Sequence, residues 1–150
     1  MAANPPTHEQ LLAEADLALR LDDVERAAEL FERVLLTAES TSDRAGALAG
    51  LGQLAFRRGD PLGAIAALEE SLDLQADAPP GALETLGRAY ATASRSTDAV
   101  RPFELGLAAA RDRGDAAGAT RFSLLLANAF VDCSEIGRAQ EVLGGALAGV

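Results

Sequence analysis

Few residues in this chain could do chemistry. His8 is the only histidine and Cys133 the only cysteine. His8 has no Cys or carboxylate at the spacing that metal ligation needs, and Cys133 has no His near it in sequence to make it a nucleophile. Gly144-Gly145 follows no strand and opens no phosphate-binding helix, so a nucleotide loop is not expected. The paired acids Asp22-Asp23 and Glu69-Glu70 read as a helix cap and a solvated face. No catalytic residue, metal or cofactor is expected, and the chain is read as a non-enzyme. The tripeptide Arg-Gly-Asp occurs twice, at 58–60 and 113–115, which raises the question of an adhesion signal.

Composition sets what must position these residues. The 150 residues fit one domain with a real core. Hydrophobic residues make up 49% but aromatics only 4%, and Ala and Leu dominate while Ile is rare. That balance favours close-packed helices over strands, so the expected class is all-α. All basic residues are Arg, and the net charge is -10, which argues against a nucleic-acid partner. The start, Met1 to Gln10, lacks the pattern of a secretory signal, and no later stretch is apolar enough to span a membrane. The expected location is cytoplasmic, with a lone Cys suited to a reducing compartment. The Ala, Gly and Arg bias without Lys suggests a bacterial source.

A repeat emerges when 51–72 is set beside 86–107. Leu-Gly opens both. Extending the register gives four copies, with a small column at Ala27, Ala64, Ala99 and Ala139 and a bulky one at Phe31, Leu68, Phe103 and Leu143. A second small column holds Ala15, Gly52, Gly87 and Ala127, followed three residues on by Ala18, Ala55, Tyr90 and Phe130.

These columns resemble the tetratricopeptide repeat (TPR), a helix-turn-helix unit of about 34 residues. The resemblance implies a right-handed superhelical α-solenoid of about four antiparallel helix pairs. The expected organisation is a disordered segment over 1–7 and a repeat domain over 8–150, with units 8–42, 43–79, 80–115 and 116–150. Gly52 or Gly87 should face Ala64 or Ala99 at a close crossing, flanked by the bulky residues. Spacings of 37, 35 and 40 between the Ala columns depart from the family's period.

Helices are expected over 8–21, 24–39, 44–58, 61–76, 81–94, 98–113, 116–133 and 135–148. Thr7 and Gln10 form a capping-box pattern, and Pro5-Pro6 discourages an earlier start. Pro102 should kink its helix or delay the start. In this register the tripeptide is punctuation: Arg58 closes a helix, Gly59 turns it, Asp60 caps the next and Pro61 takes its first position. Arg113, Gly114 and Asp115 repeat the device.

In the resembled family the first helix of each pair lines the concave side. Acids and arginines are near balance in those helices, while the second helices carry the acidic excess. One inward column is expected to hold Asp16, Gln53, Arg88 and Asn128, flanked by Leu12, Ala49, Glu84 and Leu124 and by Leu19, Phe56, Ala91 and Val131. The expected partner groove is Leu12, Asp16, Gln53, Phe56, Arg57, Glu84, Arg88, Arg121, Leu124 and Asn128. The resemblance implies a protein-interaction scaffold that binds a peptide or helical segment there. A second reading is a regulatory or sensory helical-repeat module of a bacterial signalling or transcription system, and a third an enzyme with an unrecognised site. Family members that clamp acidic chaperone tails need Lys and Asn where this chain has Leu12, Asp16, Gly50, Gly81 and Thr85, so an acidic ligand would have to use Arg88 and Arg121. The apolar, small-residue ending after Glu141 suggests self-association through the last helix.

Ala64→Leu should overpack the helix crossing and cost about 1–3 kcal/mol. Thermal denaturation checks it; an unchanged melting temperature would place the register elsewhere.

Overall fold

The computed structural model describes residues 3–148. Met1 and Ala2 of the expected disordered segment, and Gly149 and Val150 of the last repeat unit, lie outside the described residues. The described chain is all-α, with eight helices: α1 (His8–Arg20), α2 (Val24–Thr37), α3 (Thr41–Arg57), α4 (Pro61–Leu74), α5 (Pro80–Thr92), α6 (Ser96–Asp112), α7 (Ala116–Asp132) and α8 (Ile136–Ala148). They form two compact units that divide between Ala78 and Pro79. In the first unit α1 to α4 pack each on the next and α1 also touches α3; in the second, α5 to α8 pack in series.

Two helix starts differ from expectation by more than one residue. The α3 helix begins at Thr41 because the Ser40 hydroxyl accepts from Asp43 N–H at 3.4 Å, moving the cap upstream. The α6 helix begins at Ser96, so Pro102 does not delay it; the proline sits inside an unbroken helix. Its ring is buried, and apolar burial offsets the one backbone bond that the missing N–H forfeits. The Thr7–Gln10 capping box is present in both directions, at 3.1 and 2.9 Å.

Five helix ends turn in the same way. After α1, α3, α5, α6 and α7 one residue takes a positive φ: Asp22 (60°), Gly59 (81°), Ser94 (61°), Gly114 (68°) and Ser134 (63°). At each, that residue's N–H and the next one reach back to the last turn. At the α3 end Gly59 N–H donates to Phe56 O (3.0 Å) and Asp60 N–H to Ala55 O (2.9 Å). At the α6 end Gly114 donates to Arg111 O (3.0 Å) and Asp115 to Ala110 O (2.9 Å). This is the Schellman closure, which satisfies carbonyls a helix end would otherwise leave open. The Asp60 and Asp115 carboxylates then accept from Gly63 and Gly118 N–H, both at 2.9 Å. Both Arg-Gly-Asp copies are thus helix corners.

Packing rests on missing side chains. Ala27, Ala64 and Ala99 have no exposed surface and Ala139 keeps 3%. A side chain on Gly52 would meet Leu68 Cγ at 2.6 Å and Ala64 O at 3.3 Å. One on Gly87 would strike the Phe103 ring, one on Gly50 the Phe31 ring, and one on Gly106 the Phe122 ring. Each bulky group lies across the bare backbone of a neighbouring helix, and all four are buried. The α4 helix adds a polar tie, Ser71 Oγ donating to Ala45 O at 2.7 Å. The last copy differs. In α8 only Ala139 is buried, and Ile136, Leu143 and Leu147 are exposed.

Gly59 has open space around its α-carbon, so a substitution there tests backbone strain alone. Gly59→Ala should destabilise by about 1–2 kcal/mol, whereas Ser94→Gly should stabilise by up to about 1 kcal/mol because glycine takes positive φ freely. Chemical denaturation of both variants measures the pair of opposite shifts.

Candidate interaction faces

The expected groove residues fall on the first helices of the pairs and separate into the two units. In the first unit α1 presents 12, 16 and 19 on one face, and α3 presents 46, 50, 53 and 57, by helical spacing. These faces meet. The Leu12 side chain lies beside Gly46, and Arg57 Nη1 donates to Leu19 O at 2.6 Å and to Asp22 Oδ1 at 3.3 Å. Leu19 and Ala49, expected as groove walls, are buried in the core instead, because the seam is tight enough to exclude them from solvent. Leu12, Gln53 and Phe56 are half-buried and Asp16 is exposed at its edge. Arg57 has a structural task that its place in the sequence did not reveal: it closes the carbonyl end of α1 and neutralises the strained Asp22 corner.

Partial burial pushes the Asp16 carboxyl above an aspartate's ordinary 3.8, against the opposing pull of Arg20. No ion pair or hydrogen bond is made by its carboxylate among the described residues.

The second unit gathers three expected residues into one cluster. Glu84 Oε1 pairs with Arg88 Nε at 3.3 Å, and Glu84 Oε2 with Arg121 Nη1 at 3.3 Å. The glutamate side chain is 17% exposed, against 53% for Arg88 and 67% for Arg121. One carboxylate therefore aligns two guanidinium groups whose remaining N–H donors face solvent. Beside them is a cleft of about 400 Å³, lined by Pro80, Gly81 and Glu84 and by Asp115, Gly118, Arg121 and Phe122. Further along α7, Leu124, Asn128 and Val131 are exposed, as is Ala91 on α5. The Glu84–Arg88 pair is legible as an i,i+4 spacing. Arg121 is 37 residues from Glu84, and only packing of α5 near α7 brings it in.

The chemistry-bearing residues stay apart. His8 Nε2 lies 2.9 Å from Thr37 Oγ1, and Nδ1 lies 3.8 Å from Asp43 Oδ2. The fold brings Asp43 to this histidine from 35 residues away, which sequence spacing did not show. Cys133 Sγ lies 3.6 Å from Thr97 Oγ1. Among the described residues no group of three or more His, Cys, Asp or Glu could hold a metal ion, and no helix is long and apolar enough to cross a membrane.

Antiparallel helix pairs packed in series within each unit, small-residue crossings and polar first-helix faces define the class: the fold is a TPR-like helical repeat. Particular structures share it. A crystal structure of the MamA protein is similar over 95% of this chain and 72% of its own, at 20% identity and a TM-score of 0.71. A second MamA structure covers 97% and 79%, at 20% identity and 0.72. A crystal structure of Podosopora anserina putative kinesin light chain nearly identical TPR-like repeats covers 97% and 75%, at 21% identity and 0.67. No protein-family profile matches the chain, and no curated protein matches it in sequence.

The raised Asp16 pKa has a signed consequence for stability. A carboxyl whose pKa is higher folded than unfolded costs stability once ionised, and the cost disappears as pH falls through the unfolded value. Asp16→Asn should therefore raise the melting temperature at neutral pH and leave it unchanged near about pH 3, as calorimetry at the two pH values would show.

Proposed function

We propose that this protein is a non-catalytic interaction scaffold that binds a peptide or helical segment of a partner protein on a first-helix face. The observation that carries the reading is the convergence of Arg88 and Arg121 on Glu84. Exposed ion pairs contribute only about 0–1 kcal/mol each, so the cluster adds little to folding. It does hold two guanidinium groups side by side with free donors. A carboxylate from a partner can accept from both, while Leu124 and Val131 receive apolar side chains nearby. Glu84 keeps the arginines oriented before the partner arrives, which lowers the entropy cost of capture.

The acidic second helices support the same division of labour. Glu69, Glu70 and Asp73 on α4 have no arginine on their own helix, and such a surface favours solubility. Likeness of fold also favours an interaction role, since one structure it resembles is of TPR-like repeats.

Affinity capture from the native lysate with wild type and with an Arg88→Glu, Arg121→Glu double variant tests this. The partner should be lost with the double variant while its helical circular-dichroism spectrum stays intact. Equal capture of one partner by both proteins overturns the reading.

A further inference from the structure

The two units close their inner seams differently, and the repeat register shows where. The small column matches Ala15 of α1 with Gly87 of α5, and Gly52 of α3 with Ala127 of α7. Counting back from it, Leu12 and Gly46 in the first unit stand where Glu84 and Arg121 stand in the second. A side chain at Gly46 would meet Leu12 Cδ1 at 3.3 Å, so glycine lets α1 and α3 come together. Arginine at the matching place leaves α5 and α7 without that close backbone approach, and only its long side chain crosses to Glu84, at 3.3 Å. What the first unit buries, the second leaves open. Ala49 is 3% exposed and its counterpart Leu124 53%; Leu19 is 5% exposed, whereas its counterpart Ala91 faces solvent.

The open seam has a regular surface. Beyond Thr120, α7 is exposed only at Arg121, Leu124, Asn128, Val131 and Asp132, its other sides being buried or half-buried. The first four are three, four and three residues apart, the narrow stripe that seats another helix. Across from it, Gly81, Glu84, Arg88 and Ala91 of α5 keep the same spacing, and all but the half-buried glutamate are exposed. From Ala117 to Val131 the stripe runs about 21 Å. A bound helix turns once per about 5.4 Å, in step with α7, and meshes over that whole length. Side chains on one side of an extended chain recur every 6.6–6.8 Å or so, and are about half a turn out of step after two repeats.

We propose that the open α5–α7 seam seats an amphipathic helix of the partner, with apolar side chains on Leu124 and Val131 and an acid at the Arg121 end; the proposal rests on the scaffold reading above and adds the form of the ligand. Leu124 and Val131 are 53% and 50% exposed and seven residues apart, so the partner's two apolar residues share that spacing. Asn128 between them offers one polar contact that fixes the register. Asp132 closes the far end of the stripe and repels an acid there. The partner's carboxylate therefore belongs beside Arg88 and Arg121, whose donors beyond Glu84 it can fill. The cleft of about 400 Å³ at this end, with Gly81 and Gly118 among its walls, leaves room for the turn that carries it.

The test titrates the full chain, isotopically labelled, with an acetylated and amidated Ala/Gln peptide of about 18 residues, long enough to hold a helix. It bears two Leu seven residues apart and one Glu a turn outside them, in two versions with the Glu at either end, so that both chain directions are sampled. Amide shifts should concentrate on α5 and α7 and saturate below about 1 mM. Leu124→Gln and Val131→Gln should each weaken binding roughly fivefold, and Leu21→Gln on α1 should leave it unchanged. Aminoisobutyric acid on the peptide's solvent side pre-forms the helix and should tighten binding, and proline at its centre should abolish it. Replacing the peptide's Glu by Gln should weaken binding to wild type but not to Arg121→Gln. Absence of saturable shifts, equal binding of the proline peptide, or unchanged affinity in Val131→Gln each overturn the proposal. So does a wild-type dimer in light scattering that Val131→Gln dissolves, since a second copy then fills the seam. Equal binding of the proline peptide leaves the scaffold reading standing, and equal capture by the arginine double variant removes that reading without altering the peptide result.

Discussion

Two helices approach closely only where one of them gives up its side chains, and this fold depends on that exchange. Phe31 lies over Gly50, Leu68 over Gly52, Phe103 over Gly87 and Phe122 over Gly106. The buried Ala column stands beside these contacts. Each large group gains apolar contact with a neighbour's backbone, and each glycine gives up helix propensity of about 1 kcal/mol to make room. The net gain comes from packing density. A chain so poor in aromatics can still build a core, because Phe31, Phe103 and Phe122 are each spent on a crossing.

From those crossings follow the faces. With Phe31, Leu68 and Phe103 supplied by second helices and Phe122 by the buried side of α7, the opposite sides of α1, α3, α5 and α7 can carry Asp16, Gln53, Arg88 and Asn128. The two units differ in what they present. In the second, two arginines answer one glutamate; in the first, an aspartate has no answer of its own.

The helix pairs, their caps and the small-residue column were legible in the sequence because each has a local cause. A glycine at positive φ followed by aspartate marks a corner wherever it occurs, and Ala64 and Ala99 repeat in one register. Serine at the same corner, as at Ser94 and Ser134, gives no such signal, and its left-handed backbone appears only in the structure. The α6 start was misjudged because Pro102 was weighed by its missing donor rather than by the core contact of its ring. Leu19 and Ala49 were misplaced for a related reason: helical spacing says which residues share a face but not how deeply a neighbouring helix covers it. Tertiary pairings such as Arg121 with Glu84, or Arg57 with the α1 carboxyl end, join residues more than thirty positions apart, and no local pattern encodes them.

The twin Arg-Gly-Asp corners carry one more consequence. In each, the glycine and aspartate N–H groups are bonded to the preceding helix and the carboxylate to the following one, so two of the three letters are dictated by a few ångströms of local backbone. Identical words can then arise independently wherever a chain must reverse between helices. Here the shared spelling measures curvature, not address, and a text search for the motif would count bends.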